Sequence, residues 1–386
     1  MTTVAALASL LGRRPRIAII GSRGYPSYYG GFETLVRRMA PYLHDEGWDV
    51  TVYSRPGATR SDDPGLRPEV RSVVTRGLES KSLSTLSYSC TSSVHAAWEK
   101  PDVAFLMNVA CGYWLPLLKV RGIPTVLNVD GIEWDRAKWS RLGKAVFLNG
   151  ARISAKFADT LVYDADELER IWREKFHRDG VVIAYGGDIP APLPVVDGLE
   201  RRGYALMVAR FVPENTVNEF FDAAKIISKA ADVVVVGSSG YGGELDERAK
   251  ALADSNERVH WLGHVSDDDK LFSLWQHAGA YFHGHSVGGT NPALVQALAC
   301  GAPVVARDTP YNREVLGGTG TLVKPEAPAI ANAVLSLLAD RERQERHSAE
   351  AVQRIRDAYL WDSICGAYCA AFVDAASPGT RSRRPG

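Results

Sequence analysis

The sequence predicts an α/β protein made of two doubly wound, Rossmann-like domains in tandem. Three observations carry this. The chain has 386 residues, more than the roughly 250–300 at which a single core stops growing. Short β-branched runs alternate with helical stretches along most of its length, the pattern of parallel sheets covered on both faces. One proline-rich segment, "IPAPLPVV" from Ile189 to Val196, parts these runs into two sets and reads as an extended linker.

The first set comprises "RIAII" (Arg16–Ile20), "DVTVYS" (Asp49–Ser54), "VAFLMN" (Val103–Asn108), "PTVLNVDG" (Pro124–Gly131), "TLVYD" (Thr160–Asp164) and "GVVIAYGG" (Gly180–Gly187). Such near-continuous apolar runs suit strands buried on both faces. After the first of them Leu35, Val36, Met39, Ala40 and Leu43 recur at helical spacing. The second set comprises "YALMVAR" (Tyr204–Arg210), "DVVVVGSSG" (Asp232–Gly240), "VHWLG" (Val259–Gly263), "GAYFHG" (Gly279–Gly284) and "APVVARD" (Ala302–Asp308). The expected division is an N-terminal extension 1–15, a first domain 16–190, a linker 191–202 and a second domain 203–348. An amphipathic helix over 349–374 and a polar, disordered tail 375–386 follow.

A hydrophobic fraction of 46% and a charged fraction of 23% exclude a disordered or fibrous chain. Net charge is zero, but residues 1–190 hold 25 Lys+Arg against 21 Asp+Glu, so the halves carry +4 and −4. The early arginines (Arg13, Arg14, Arg16, Arg23, Arg37, Arg38) either lean on an anionic surface or form a solvated basic face. No nucleic-acid motif accompanies them. The 5 cysteines are scattered without CxxC spacing, which argues against zinc and a disulfide framework and for a reducing, cytoplasmic setting. "VAALASLLG" (Val4–Gly12) is followed rather than preceded by arginines, a poor signal peptide. No run approaches the roughly 20 apolar residues of a membrane span, so work at a membrane is work at its inner surface.

In open α/β sheets ligands bind beyond the carboxyl ends of strands, so candidate motifs are loops that follow strands. "HSVGGTNPALVQALACG" (His285–Gly301) is either a capped helix or an anion cradle. Thr290 or Asn291 can cap, Pro292 suits the first turn, and the N–H groups of Gly288, Gly289 and Thr290 can hold a pyrophosphate. "GSRGYPSYYGGFE" (Gly21–Glu33) lacks the Walker and GxGxxG spacings and reads as a ligand loop or a surface turn. Arg210 closes the strand of "VARFVPEN", where an arginine either reaches a phosphate or is solvated. In "NVDGIEWDRAKW", Asp130, Glu133 and Asp135 are candidates for acid/base work and Trp134 for stacking on a sugar, with a capped loop as the alternative. The histidines His264, His283 and His285 lack metal-site spacing, and no metal is expected.

These four motifs, in this order, resemble the retaining nucleotide-sugar glycosyltransferases of family 4, with the two-domain GT-B architecture, and look closest to a rhamnosyltransferase-like bacterial group. The resemblance runs from Arg16 to Val373. It implies transfer of a sugar, L-rhamnose for that group, from a nucleoside-diphosphate donor to a glycan or lipid-linked acceptor in cell-surface polysaccharide synthesis, with no cofactor. Arg210 matches the arginine that neutralises the donor diphosphate, while the lysine that usually follows is replaced by Asn215 and Thr216. The family's paired glutamates match Gly288, a catalytic-loop scaffold, and Gln296, the ribose ligand, where an amide stands for a carboxylate. Gly289, Thr290 and Asn291 join them on the donor side. Asp130 stands where many members carry a histidine near the donor sugar. The glycine pair Gly30 and Gly31 borders the donor phosphate, and Tyr25, Tyr28, Glu133 and Trp134 lie on the acceptor side. The resemblance also implies that the helix over 349–374 packs back on the first domain. Alternatives are a degenerate sugar-nucleotide-binding protein without turnover and a sugar-nucleotide epimerase.

Overall fold

The computed structural model describes residues 3–28, 30–60, 62–79, 83–136, 139–240 and 242–377. Most of the expected tail, with Tyr29 and Lys138, lies outside them. The chain forms two compact units, one running to Tyr185 and resuming at Trp361, the other spanning Gly186–Leu360.

Unit 1 begins with α1 (Val4–Leu11), β1 (Arg16–Ile20), α2 (Gly31–Asp45), β2 (Asp49–Ser54), β3 (Arg71–Val74), α3 (Ser84–Glu99) and β4 (Val103–Met107). It continues with α4 (Leu115–Val120), β5 (Thr125–Asn128), α5 (Arg141–Phe157), β6 (Thr160–Tyr163), α6 (Asp166–Phe176) and β7 (Val181–Val182). The strands form one parallel sheet in the order β3-β2-β1-β4-β5-β6-β7, with Ile17 beside both Val50 and Val103. The order reverses between β1 and β4, which makes a crevice beyond their carboxyl ends.

Unit 2 holds β8 (Tyr204–Val208), α7 (Val217–Ile227), β9 (Asp232–Val236), α8 (Glu244–Asp254), β10 (Val259–Trp261), α9 (Asp268–His277) and β11 (Ala280–His283). Then come α10 (Pro292–Ala299), β12 (Val304–Arg307), α11 (Pro310–Leu316), β13 (Thr321–Val323), α12 (Ala327–Leu338) and α13 (Arg341–Ala358). Its parallel sheet runs β10-β9-β8-β11-β12-β13 and reverses between β8 and β11.

The apolar spacing read in α2 is its buried face: Leu35, Val36, Met39, Ala40 and Leu43 join Ile17 and Ile19 in the core of unit 1. Val4 and Leu7 of α1 join the same core, so the N-terminal segment is a folded part of the unit. The helix expected over 349–374 is two helices that part company at Leu360. α13 stays in unit 2, where Ser348 Oγ donates to Gly301 O at 2.6 Å. The second, α14 (Trp361–Ala376), belongs to unit 1, where Phe372 and Tyr368 lie 5.2 and 5.3 Å from the ring of Phe105.

The proline-rich linker is not a free tether. Ser273 Oγ donates to Pro194 O at 2.5 Å, and Gln276 Nε2 to Ala191 O at 2.9 Å, so the segment is fastened along α9 within unit 2.

Candidate functional site

In unit 2 the β11–α10 loop is an anchored structure. Thr216 Oγ1 donates to Gly284 O (2.6 Å), Ser286 Oγ to Glu214 O (2.9 Å) and Asn312 Nδ2 to His285 O (2.9 Å). Asn215 Nδ2 donates to Arg210 O at 2.8 Å, which leaves its Oδ1 as acceptor for His285 Nδ1 at 2.6 Å. The two residues at the lysine position, Asn215 and Thr216, therefore tie the loop after β8 to the loop after β11. A side chain at Gly284 would run into Asn215 O, which explains the glycine there.

The cap read in the glycine loop is present. Asn291 is the cap of α10, its Oδ1 accepting from Ala293 N at 2.9 Å. Just before it Gly288 turns at φ +88°, a left-handed conformation that favours glycine. The N–H groups of Gly288 and Gly289 have no protein acceptor among the described residues. Thr290 is buried. Helix α10 adds its dipole behind these amides.

Arg210 stands exposed at the end of the β8 strand, and its guanidinium makes no hydrogen bond or ion pair among the described residues. A second cation, Arg307, closes β12 and donates from Nη1 to Thr216 Oγ1 at 3.0 Å. Strands β8 and β12 flank β11, so the two arginines bracket the strand that feeds the glycine loop. Arg307 went unread in the sequence, although an arginine ending a strand is the same signal as Arg210. His283, at the end of β11, is buried and held neutral, its basicity lowered to about 3 by loss of solvent.

Gln296 departs most from expectation. Its Oε1 accepts from Asp188 N at 3.1 Å while its Nε2 donates to Asp188 O at 2.7 Å. The amide is engaged at both ends with one backbone residue instead of standing open for a ribose hydroxyl.

In unit 1, Asp130 sits after β5 at φ +62°, its N–H donating to Asn128 Oδ1 at 2.8 Å and its Oδ2 accepting from Asn108 Nδ2 at 2.8 Å. Loss of solvent, then the negative charge of Glu133, push its carboxyl above the usual range. Glu133 is 3% exposed, pairs with Arg136 at 2.8 Å and accepts from Trp139 Nε1 at 2.7 Å. The half-buried Asp130 and Arg136 thus act on the buried Glu133 from either side. Trp134 is a correction: its ring edges meet Trp172 and Phe176 at 6.0 and 5.7 Å, and it packs in the interior, where the sequence reading had it stacking on a sugar.

Tyr25 is likewise buried, its hydroxyl donating to Gly65 O at 3.3 Å. Tyr28 is exposed, bonded to Asp63 at 2.9 Å and overlaid by the Arg37 guanidinium at 4.2 Å from the ring centroid. Gly30 is the extended cap of α2 and Gly31 its first residue, and among the described residues no side chain caps the first amides of the helix. Among the described residues no group of three or more His, Cys, Asp or Glu side chains converges to hold a metal ion.

Solved structures share this arrangement. The chain superposes on sucrose-phosphate synthase from Thermosynechococcus elongatus with a TM-score of 0.78 at 20% identity, covering 94% of this chain and 100% of that one. It matches HepE from Anabaena, in complex with UDP, with a TM-score of 0.70 at 16% identity over 93% and 100%. Family models match each unit: a glycosyl transferase 4-like domain at residues 30–186 and glycosyl transferases group 1 at 196–354. The chain belongs to the GT-B glycosyltransferases. A phosphatidyl-myo-inositol mannosyltransferase of Mycobacterium leprae is 28% identical to this glycosyltransferase over 225 residues, 56% of this chain and 59% of the relative. The match spans about half the length of such curated relatives.

Proposed function

We propose that this glycosyltransferase moves a hexosyl group from a nucleoside-diphosphate sugar to a glycan or lipid-linked acceptor of cell-surface polysaccharide, with retention of configuration and without a metal. The observation that carries the reading is the pair of strand-end arginines, Arg210 and Arg307, on either side of a strand whose loop ends in unbonded glycine amides. Two positive charges, two N–H donors and the dipole of α10 make a fixed field for the diphosphate that departs as the glycosidic bond breaks. Preorganised groups of this kind supply several kcal/mol of transition-state stabilisation. Arg307 takes over the charge of the absent lysine. Asp130, kept protonated more readily than an ordinary carboxylate, is a hydrogen-bond donor to the donor sugar.

Support for the substrates is chemical and comparative: HepE is named in complex with UDP, and curated relatives are named mannosyltransferases. L-rhamnose stays the donor sugar implied by the motifs. Membrane contact is proposed for the face where Val94 and Trp98 of α3 are 55% and 84% exposed and Val120 is 86% exposed. Arg121 joins these segments, its Nε donating to Ala97 O at 3.0 Å. No helix among the described residues is long and apolar enough to cross a membrane. Cosedimentation with anionic vesicles, weakened by Trp98→Ala, tests this contact; equal sedimentation of both proteins would sink it.

The deciding experiment is a donor screen that reads release of nucleoside diphosphate with and without a lipid-linked acceptor. Acceptor-dependent release is expected, and Arg210→Ala should lower turnover at least roughly tenfold, given ~1.5–3 kcal/mol for a charge-assisted contact. Binding without release would favour a degenerate protein, and donor conversion without acceptor an epimerase.

A further inference from the structure

We propose that unit 1 carries an oxyanion site centred on Arg55, which takes a phosphate or carboxylate group borne by the acceptor. This rests on the reading of the chain as a sugar transferase. Arg55 is the first residue after β2 and is only 8% exposed, and its backbone N–H donates to Arg23 O at 2.7 Å. Its Nε is buried with no hydrogen-bond partner, and among the described residues its side chain forms no ion pair. What it has is the face of the Tyr88 ring, 5.0 Å from the guanidinium. A guanidinium nitrogen taken out of water without a hydrogen-bond partner is unfavourable, and a bound anion is one of the few things that accounts for such a group in a native interior.

Its position fits a ligand. Gly21, at φ +111°, has no room for a side chain because a Cβ would lie 2.6 Å from Met107 O and 3.1 Å from Cys111 Sγ. The loop after β1 is thereby drawn against the end of β4, at the point where the strand order of unit 1 reverses. Arg55 follows the strand beside β1, and its N–H bond to Arg23 O sets it against the loop that enters this crevice. Crevices at a reversal of strand order are the ligand sites of open α/β sheets.

Two hydroxyls on the same two loops, Ser22 Oγ and Thr59 Oγ1, are also buried without partners. Arg23 adds like charge beside Arg55, while Glu33 and Glu79 are the carboxylates that act on it. Glu33 is occupied by the Arg23 N–H at 3.0 Å. One cation and two hydroxyls that lack acceptors suit the oxygens of one oxyanion. Since unit 2 has its own arginines and amides for the donor diphosphate, the anion at Arg55 belongs to the second substrate.

The test titrates the full chain, with a saturating nucleoside diphosphate present, against inorganic pyrophosphate and separately against glucuronate. Binding of pyrophosphate identifies a phosphate-bearing acceptor, and binding of glucuronate an acidic sugar. Either should weaken at least roughly tenfold in Arg55→Gln, the loss of one charge-assisted contact, and recover in part in Arg55→Lys. No binding by the native chain, or equal binding by Arg55→Gln, would overturn the proposal. So would pyrophosphate binding that vanishes once nucleotide is added, since that anion sits in the donor site. If Arg55→Gln does not fold, Ser22→Ala and Thr59→Val take its place, and unchanged binding in both overturns the site. If the chain binds no nucleoside diphosphate, the transferase reading fails, whereas the anion titration without nucleotide still decides Arg55.

Discussion

Gln296 shows how a side chain at a position matched to a ligand also serves as a structural clamp. An amide can both accept from Asp188 N and donate to Asp188 O, and a carboxylate can only accept. Gln296→Glu, which the family pattern invites, would set a carboxylate against a carbonyl oxygen. It should destabilise unit 2 by about 1–3 kcal/mol, the cost of an unmade hydrogen bond at a half-buried site, read as a lower urea midpoint; a gain in stability would refute the clamp. Asp130 is the reverse case, strained and costly in the fold. Its folded-state affinity for a proton is raised, so the folded chain binds more protons than the unfolded one above about pH 4. Stability from this group therefore falls as pH rises through that window. Asp130→Asn should melt higher than the native protein at pH 7, with the gap closing near pH 4, while turnover drops. A constant gap across pH would show that the ionised carboxylate is not the cause.

At the scale of elements, the central strands were legible because burial on both faces demands apolar runs. The two that went unread, β3 and β13, are edge strands with mostly exposed or half-exposed residues, so nothing in composition marks them. Of the glycine loop, the helix start and its Asn291 cap are legible in the sequence. The fastening of that loop was not, because His285, Asn215, Thr216 and Asn312 come from segments far apart in sequence. The same holds for Trp134, where a periodic aromatic could equally face a sugar or Trp172. By composition the proline-rich segment reads as an extended linker. The polar side chains of α9 that hold it could not be paired with it from sequence alone.

At the scale of the whole chain, the two units are not equivalent as folding units. Every buried residue in the apolar cluster around β8 and β11 lies between Ala205 and Leu337, inside the continuous segment Gly186–Leu360. Unit 1 is discontinuous: its core needs Trp361, Ile364, Tyr368 and Phe372 from α14, and Asn128 Nδ2 donates to Tyr368 OH at 2.8 Å. Removing one buried large aromatic costs about 3–5 kcal/mol, so losing three such rings with α14 costs about 9–15 kcal/mol, comparable to the whole roughly 5–15 kcal/mol that holds a domain together. A fragment spanning 186–360 should therefore unfold cooperatively in urea and bind a nucleoside diphosphate through Arg210, Arg307 and the glycine loop. A fragment ending at Tyr185 should show no cooperative transition. Joining residues 361–376 to it through a short glycine-serine linker should restore one. Cooperative folding of the shorter fragment alone would mean that α14 covers a core already complete without it.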